Sequence, residues 1–159
     1  MSVNAVAHLN FHGQARAALE FYRSVFGGQL VIATYADFGA PKELPGADHV
    51  VWGQVVADSG FRVMAYDVPT QGAAAGTTPA AGTAPTTRRE NGATITSEPF
   101  FLSVRGDSVE EVGALWEKLA DGADQIEKFG PSQWGPGFGM LTDRFGVTWI
   151  LDVATAHAG

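Results

Sequence analysis

Two periods of apolar residues run through this chain, and the same order of periods occurs twice. Residues 3–11 form a short β-prone run. Ala15, Ala18, Leu19, Tyr22 and Phe26 then recur at helical spacing and predict an amphipathic helix, which Gly27-Gly28 stops. Runs at 30–35, 50–56 and 61–68 predict three strands, the last two joined by the hairpin signal Ala57-Asp58-Ser59-Gly60. In the second half a strand is expected at 100–104. Asp107 with Glu110 makes a capping-box-like helix start, and Val109, Val112, Trp116 and Leu119 form the stripe. Asp121-Gly122 ends that helix. Strands are expected at 125–129, 138–142 and 147–153.

The pattern breaks once. From 70 to 87 every residue except Gln71 is Ala, Thr, Gly or Pro. With no large apolar side chain to bury, such a stretch cannot offset the entropy of ordering it. The expected organisation is a module at 1–69, a flexible linker at 70–97 with order resuming near Ile95, and a module at 98–159.

The halves also align by residue. Leu9-Asn10-Phe11-His12-Gly13 matches Leu102-Ser103-Val104-Arg105-Gly106, and Asp58-Ser59-Gly60-Phe61-Arg62-Val63 matches Asp143-Arg144-Phe145-Gly146-Val147-Thr148-Trp149 with one extra residue. The fold class read from this is α+β: two βαβββ modules whose curled mixed sheets surround a cavity.

The segment Ala18-Leu19-Glu20-Phe21-Tyr22-Arg23-Ser24-Val25-Phe26-Gly27-Gly28 resembles the first-helix signature of PhnB-like proteins of the vicinal-oxygen-chelate (glyoxalase/bleomycin-resistance/dioxygenase) superfamily. Trp134-Gly135 and the stretch from Phe138 to Trp149 resemble the closing hairpin of that group. The resemblance implies a glyoxalase-like fold and a homodimer. In the superfamily's enzymes it also implies a divalent metal, held by His or Glu near the first and last strand of each half, that stabilises an enolate or oxyanion. Bleomycin-binding relatives bind without metal.

Carried onto this chain, the ligand frame falls on Val6 or Ala7, Pro99 or Phe100, Met64 or Ala65, and Ile150. None of these side chains binds a divalent ion, and a site needs at least three N or O donors. No metal or other cofactor is therefore expected. His8 lies one or two residues from the frame. Alternation groups it with Asn10 and His12 on the polar side of the strand, while helix-anchored register puts it on the other, so both a functional and a structural role stay open. Glu98 is expected to be solvated, His49 and His157 to lie on the surface, and Asp152 to lie at cavity parity with Ile150 and Thr148. An atypical metal site from His8, Glu98 and Asp152, serving a lyase, isomerase or dioxygenase, is the alternative.

The ligand-cavity candidates are His8, Asn10, Trp52, Gln54, Tyr66, Trp134 and Phe138, since small-molecule cavities combine apolar and aromatic walls with a few polar anchors. Each aromatic also has a core-packing reading, which is preferred for Trp149 and Phe101. Trp134, at a loop-to-strand junction, is placed at the cavity mouth.

Bulk properties narrow the partners. The chain has 159 residues, a formal charge of −7 and no cysteine. Nucleic acid and anionic membrane surfaces are disfavoured; disulfides, thiolate metal sites and cysteine nucleophiles are excluded. No apolar run reaches membrane-spanning length, no signal peptide is read at Met1-Ser2-Val3-Asn4, and a cytoplasmic location is expected. Gly135-Pro136-Gly137-Phe138-Gly139 lacks a following Lys-Ser/Thr and opens a strand, so it reads as turn chemistry. No Gly-x-Ser-x-Gly elbow marks a serine hydrolase. Some family members are labelled demethylubiquinone methyltransferases, but no glycine-rich nucleotide loop follows a first parallel strand here. The expectation is a metal-independent protein that binds a small molecule.

Overall fold

The computed structural model describes residues 3–69 and 87–154. The chain divides into two compact units, Met1–Ala81 and Gly82–Gly159. The expected position of His157, and residues 70–86 of the expected linker, lie outside the described residues.

The first unit holds β1 (Ala7–Phe11), α1 (Ala15–Phe26), β2 (Gln29–Thr34), β3 (Val50–Val56) and β4 (Arg62–Asp67), in a mixed sheet of order β1-β4-β3-β2 with β1 parallel to β4. The second holds a small hairpin, β5 (Arg88–Glu90) with β6 (Ala93–Ile95). It is followed by β7 (Leu102–Gly106), α2 (Val109–Leu119), β8 (Asp124–Ser132), β9 (Gly135–Thr142) and β10 (Thr148–Val153). Its main sheet has order β7-β10-β9-β8, with β7 parallel to β10. Both are the βαβββ unit, and the fold is α+β.

Alternation gives each sheet one face toward its helix. In the first unit Leu9, Phe11, Val55, Val63 and Ala65 meet Ala15, Ala18, Leu19 and Tyr22, all buried. In the second, Trp149, Leu151, Leu141 and Val153 meet Val112, Trp116 and Leu119. Gly53 and Gly139 occupy equivalent places. A Cβ on Gly53 would sit 2.4 Å from Leu19, and one on Gly139 would sit 2.7 Å from the Trp116 ring, so each sheet admits its helix only where a side chain is missing.

Several boundaries differ from expectation. β7 begins at Leu102, two residues late, and ladder register equates Phe11 with Gly106 and not with Val104. The shift is even, so side-chain faces are unaffected. The cap of α2 is Ser108, whose Oγ accepts from the Glu111 amide at 3.1 Å; Val109 is exposed, and the buried stripe starts at Val112. The hairpin at 88–95 occupies residues assigned to the linker. Asn91 and Gly92 both have positive φ (52° and 80°), as a two-residue turn that matches strand twist requires.

One carboxylate organises the first unit. Asp67, 1% exposed, accepts from the amides of Gly13 (2.7 Å) and Ala15 (3.0 Å) through one oxygen and of Val50 (2.9 Å) through the other. It thereby caps α1, whose own N-cap Gln14 makes no side-chain bond, and pins β3 where the long β2–β3 connection returns. In the second unit Asp143, 4% exposed, holds the β9–β10 turn. It accepts from the amides of Phe145 (2.8 Å) and Val147 (3.1 Å) and from the Trp149 indole (2.9 Å).

Candidate functional site

The sheet face away from α1 collects five of the seven sequence candidates. Register places His8 beside Met64, Asn10 beside Tyr66, and Gln54 beside Met64, with Trp52 two residues along the same face of β3. The open choice for His8 resolves to the side opposite Leu9 and Phe11, because its ladder partner Met64 alternates with the helix-facing Val63 and Ala65.

His8 and Tyr66 meet edge to face, with ring centroids 5.2 Å apart. The Nδ1 of His8 lies 3.2 Å from the Asn10 amide oxygen. An amide oxygen only accepts, so Nδ1 is the donor of this pair. Tyr35, at the end of β2, joins this neighbourhood. Its hydroxyl donates to the Asp67 carbonyl at 2.7 Å. Burial, then the charges of Tyr66 and Asp67, raise its pKa above the ordinary tyrosine value. The face thus offers donors, acceptors and aromatic edges.

Trp134 and Phe138 belong to the second unit and touch each other edge to face at 5.0 Å. Together with Arg89, Glu127 and Lys128 they line a cleft of about 230 Å³. Trp134 is 54% exposed, in the two-residue turn between β8 and β9. Sequence reading missed Arg89, Glu127, Lys128 and Tyr35 as site residues.

Glu98 is not the solvated group expected. It is half-buried and accepts from the hydroxyls of Thr87 and Thr148 (3.0 Å), which are bonded in turn to Thr96 and Thr142. Each hydroxyl donates once toward the carboxylate, and the chain of bonds ties the residues flanking the β5–β6 hairpin to β9 and β10. Asp152 makes a forked ion pair with Arg105 (2.7–3.2 Å). His49 is half-buried against Gly13 and Gly46, and Phe101 is half-buried too; Trp149 is core, at 1% exposure.

A divalent metal, implied by the resemblance, does not fit these residues. At the level of the family's ligand frame the open faces carry the cross-strand pairs His8–Met64 and Ser103–Ile150. That is one imidazole beside a thioether in one unit, and one hydroxyl beside a hydrocarbon in the other, short of three good donors. Glu98 is anchored to Thr148, four residues along β10 from Asp152, a strand distance of about 13 Å. Among the described residues of each unit, no group of three His, Asp or Glu is placed to hold an ion. Among these residues, also, no helix is long and apolar enough to cross a membrane.

Comparison with known proteins agrees with this architecture. The sequence family described as the glyoxalase/bleomycin resistance protein/dioxygenase superfamily matches residues 5–151. Among solved structures, protein PA1353 from Pseudomonas aeruginosa is similar at a TM-score of 0.70 and 27% identity, over 96% of this chain and 98% of that one. A PhnB protein from Bacillus cereus, which carries the name 3-demethylubiquinone-9 3-methyltransferase, is similar at 0.66 and 24%, over 96% and 100%. A glyoxylase/bleomycin resistance protein/dioxygenase domain from Frankia has a TM-score of 0.59 at 13% identity, over 98% and 99%. No curated protein matches the sequence.

Proposed function

Because the chain belongs to the glyoxalase/bleomycin resistance protein/dioxygenase superfamily, we propose that it uses this fold to bind a small organic molecule through side chains alone, without the divalent ion of the superfamily's enzymes. The observation that carries this reading is the open face of the first sheet, where His8, Asn10, Gln54, Trp52 and Tyr66 gather polar groups among aromatic rings. Such a surface recognises a ligand by ring contact and a few directed hydrogen bonds. Trp134 and Phe138 belong to the same functional proposal in the second unit. Fold alone does not fix the ligand; ring contacts and directed hydrogen bonds at that face select it.

The test is a thermal-shift and tryptophan-fluorescence screen of aromatic and glycopeptide compounds, repeated with Trp52→Ala. A hit should lose about tenfold in affinity in the variant, the scale of one lost aromatic contact in a binding site. Failure of every compound, or stabilisation by stoichiometric Zn²⁺, Mn²⁺, Ni²⁺ or Fe²⁺, would reverse the reading. A homodimer in the cytoplasm is part of the proposal, and a monomer at high concentration in light scattering would remove the dimer from it.

A further inference from the structure

We propose that the cleft lined by Arg89, Lys128, Trp134 and Phe138 binds a small planar aromatic acid, its carboxylate taken by Arg89 and its ring by the two aromatics. The proposal rests on the small-molecule-binding reading and adds a ligand class and a second locus to it.

Arg89 carries most of the argument. Its side chain is only 14% exposed, and its Nε is the one buried side-chain nitrogen or oxygen among the described residues that makes no hydrogen bond. One terminal nitrogen donates to Thr94 at 2.9 Å, and the guanidinium lies 5.4 Å from the centre of the Phe138 ring. The nearest carboxylate, on Glu127, stands 3.6 Å from Nε, beyond hydrogen-bond length. A buried guanidinium that pairs loosely with Glu127 and leaves Nε without a hydrogen bond fits a planar anion, since its fork matches carboxylate geometry.

The walls complete the match. Between Glu127 and Gly130 the β8 ladder shifts register, and both Glu127 and Lys128, adjacent in sequence, line the cleft. Two cations therefore face one carboxylate, inside a chain of net charge −7. Trp134 offers an exposed indole steadied against Phe138, a ready platform for a second ring. The volume, about 230 Å³, is below the roughly 300–1,000 Å³ of sites for drug-sized ligands. One or two rings fill it.

The test titrates the full chain with 2-naphthoate and with its neutral analogue 2-naphthamide by calorimetry at low salt. The acid should bind about tenfold more tightly than the amide, the scale of a charge-assisted hydrogen bond, and should weaken as NaCl rises. Arg89→Gln should bring the acid to within about twofold of the amide, because an uncharged side chain no longer distinguishes them. Trp134→Ala should weaken both. Glu127→Gln should tighten the acid by removing the competing carboxylate, and with the salt series it decides the matter if Arg89→Gln fails to fold. Equal affinity of acid and amide, or an acid preference that survives Arg89→Gln, overturns this inference. Either result leaves the broader reading intact where Trp52 still reports a ligand. Absence of any binding by any compound overturns both.

Discussion

The two units share one topology and differ in where they place charge. At equivalent positions of their open faces the first unit pairs Asn10 with Tyr66, and the second pairs Arg105 with Asp152. The first face is polar and aromatic around that pair, with Arg62 at the far end of β4 as its cation. The second carries an ion pair, the threonine-ringed Glu98 and a hairpin held on it by Thr94 and Arg89, which reach Met140 and Phe138. Strand order and register dictate the βαβββ unit, while the residues facing away from the helix are free to diverge. That freedom gives one fold two surface chemistries.

The buried carboxylates differ in the same way. In the first unit β2 and β3 are joined by fifteen residues (35–49), and Asp67 fixes the far end of that excursion together with the start of α1. In the second, Gln133 and Trp134 alone join β8 to β9, so no such anchor is needed there, and Asp143 serves the opposite hairpin. The comparison breaks if the two anchors prove equal. Asp67→Ala strands three amide donors on two distant segments, the start of α1 and the start of β3, and should cost about 3–5 kcal/mol at roughly 1–3 kcal/mol for each unmade bond, discounted for relaxation. Urea unfolding followed by far-ultraviolet circular dichroism measures it. Asp143→Ala strands two amides of one turn and the Trp149 indole, all within six residues of it, so these neighbours can shift together. Its loss should be smaller, about 2–3 kcal/mol, accompanied by a change in Trp149 emission as the indole loses its acceptor.

The shared face of the first unit's candidates was legible because strand alternation is rigid. Once β1 and β4 are placed, the side taken by His8, Asn10 and Tyr66 follows from parity. Helix-anchored register was the poorer guide, since loop length between strand and helix varies by a residue. The cleft residues were not legible, for two reasons. Arg89 follows a stretch whose composition reads as linker, and Asn91-Gly92, the local signal for a hairpin there, was outweighed by it. The β8 register shifts that bring Glu127 and Lys128 to one cleft arise from three-dimensional pairing, which leaves no mark in the hydrophobic pattern. Asp67 was invisible for a related reason: a strand-end carboxylate reads as solvated until its distant amide partners are known.

The smallest expected effect sharpens the contrast between the helix starts. Ser108 caps α2 from within its own segment, with extended backbone at φ −134° and ψ 147° and its hydroxyl on the Glu111 amide. Ser108→Ala should cost about 1 kcal/mol, the ordinary value of a local cap, with no effect on other segments in hydrogen exchange. Gln14, at the same place before α1, has φ −105° and ψ 2°, outside the extended region a capping side chain needs, and Asp67 already accepts from the Ala15 amide. Gln14→Ser should therefore not add the roughly 1 kcal/mol of a new cap. Asp67→Ala should expose amides around Gly13, Ala15 and Val50 together. If exchange after Asp67→Ala stayed confined to the first turn of α1, its cap would be as local as that of α2, and the difference between the units would reduce to which residue supplies the oxygen.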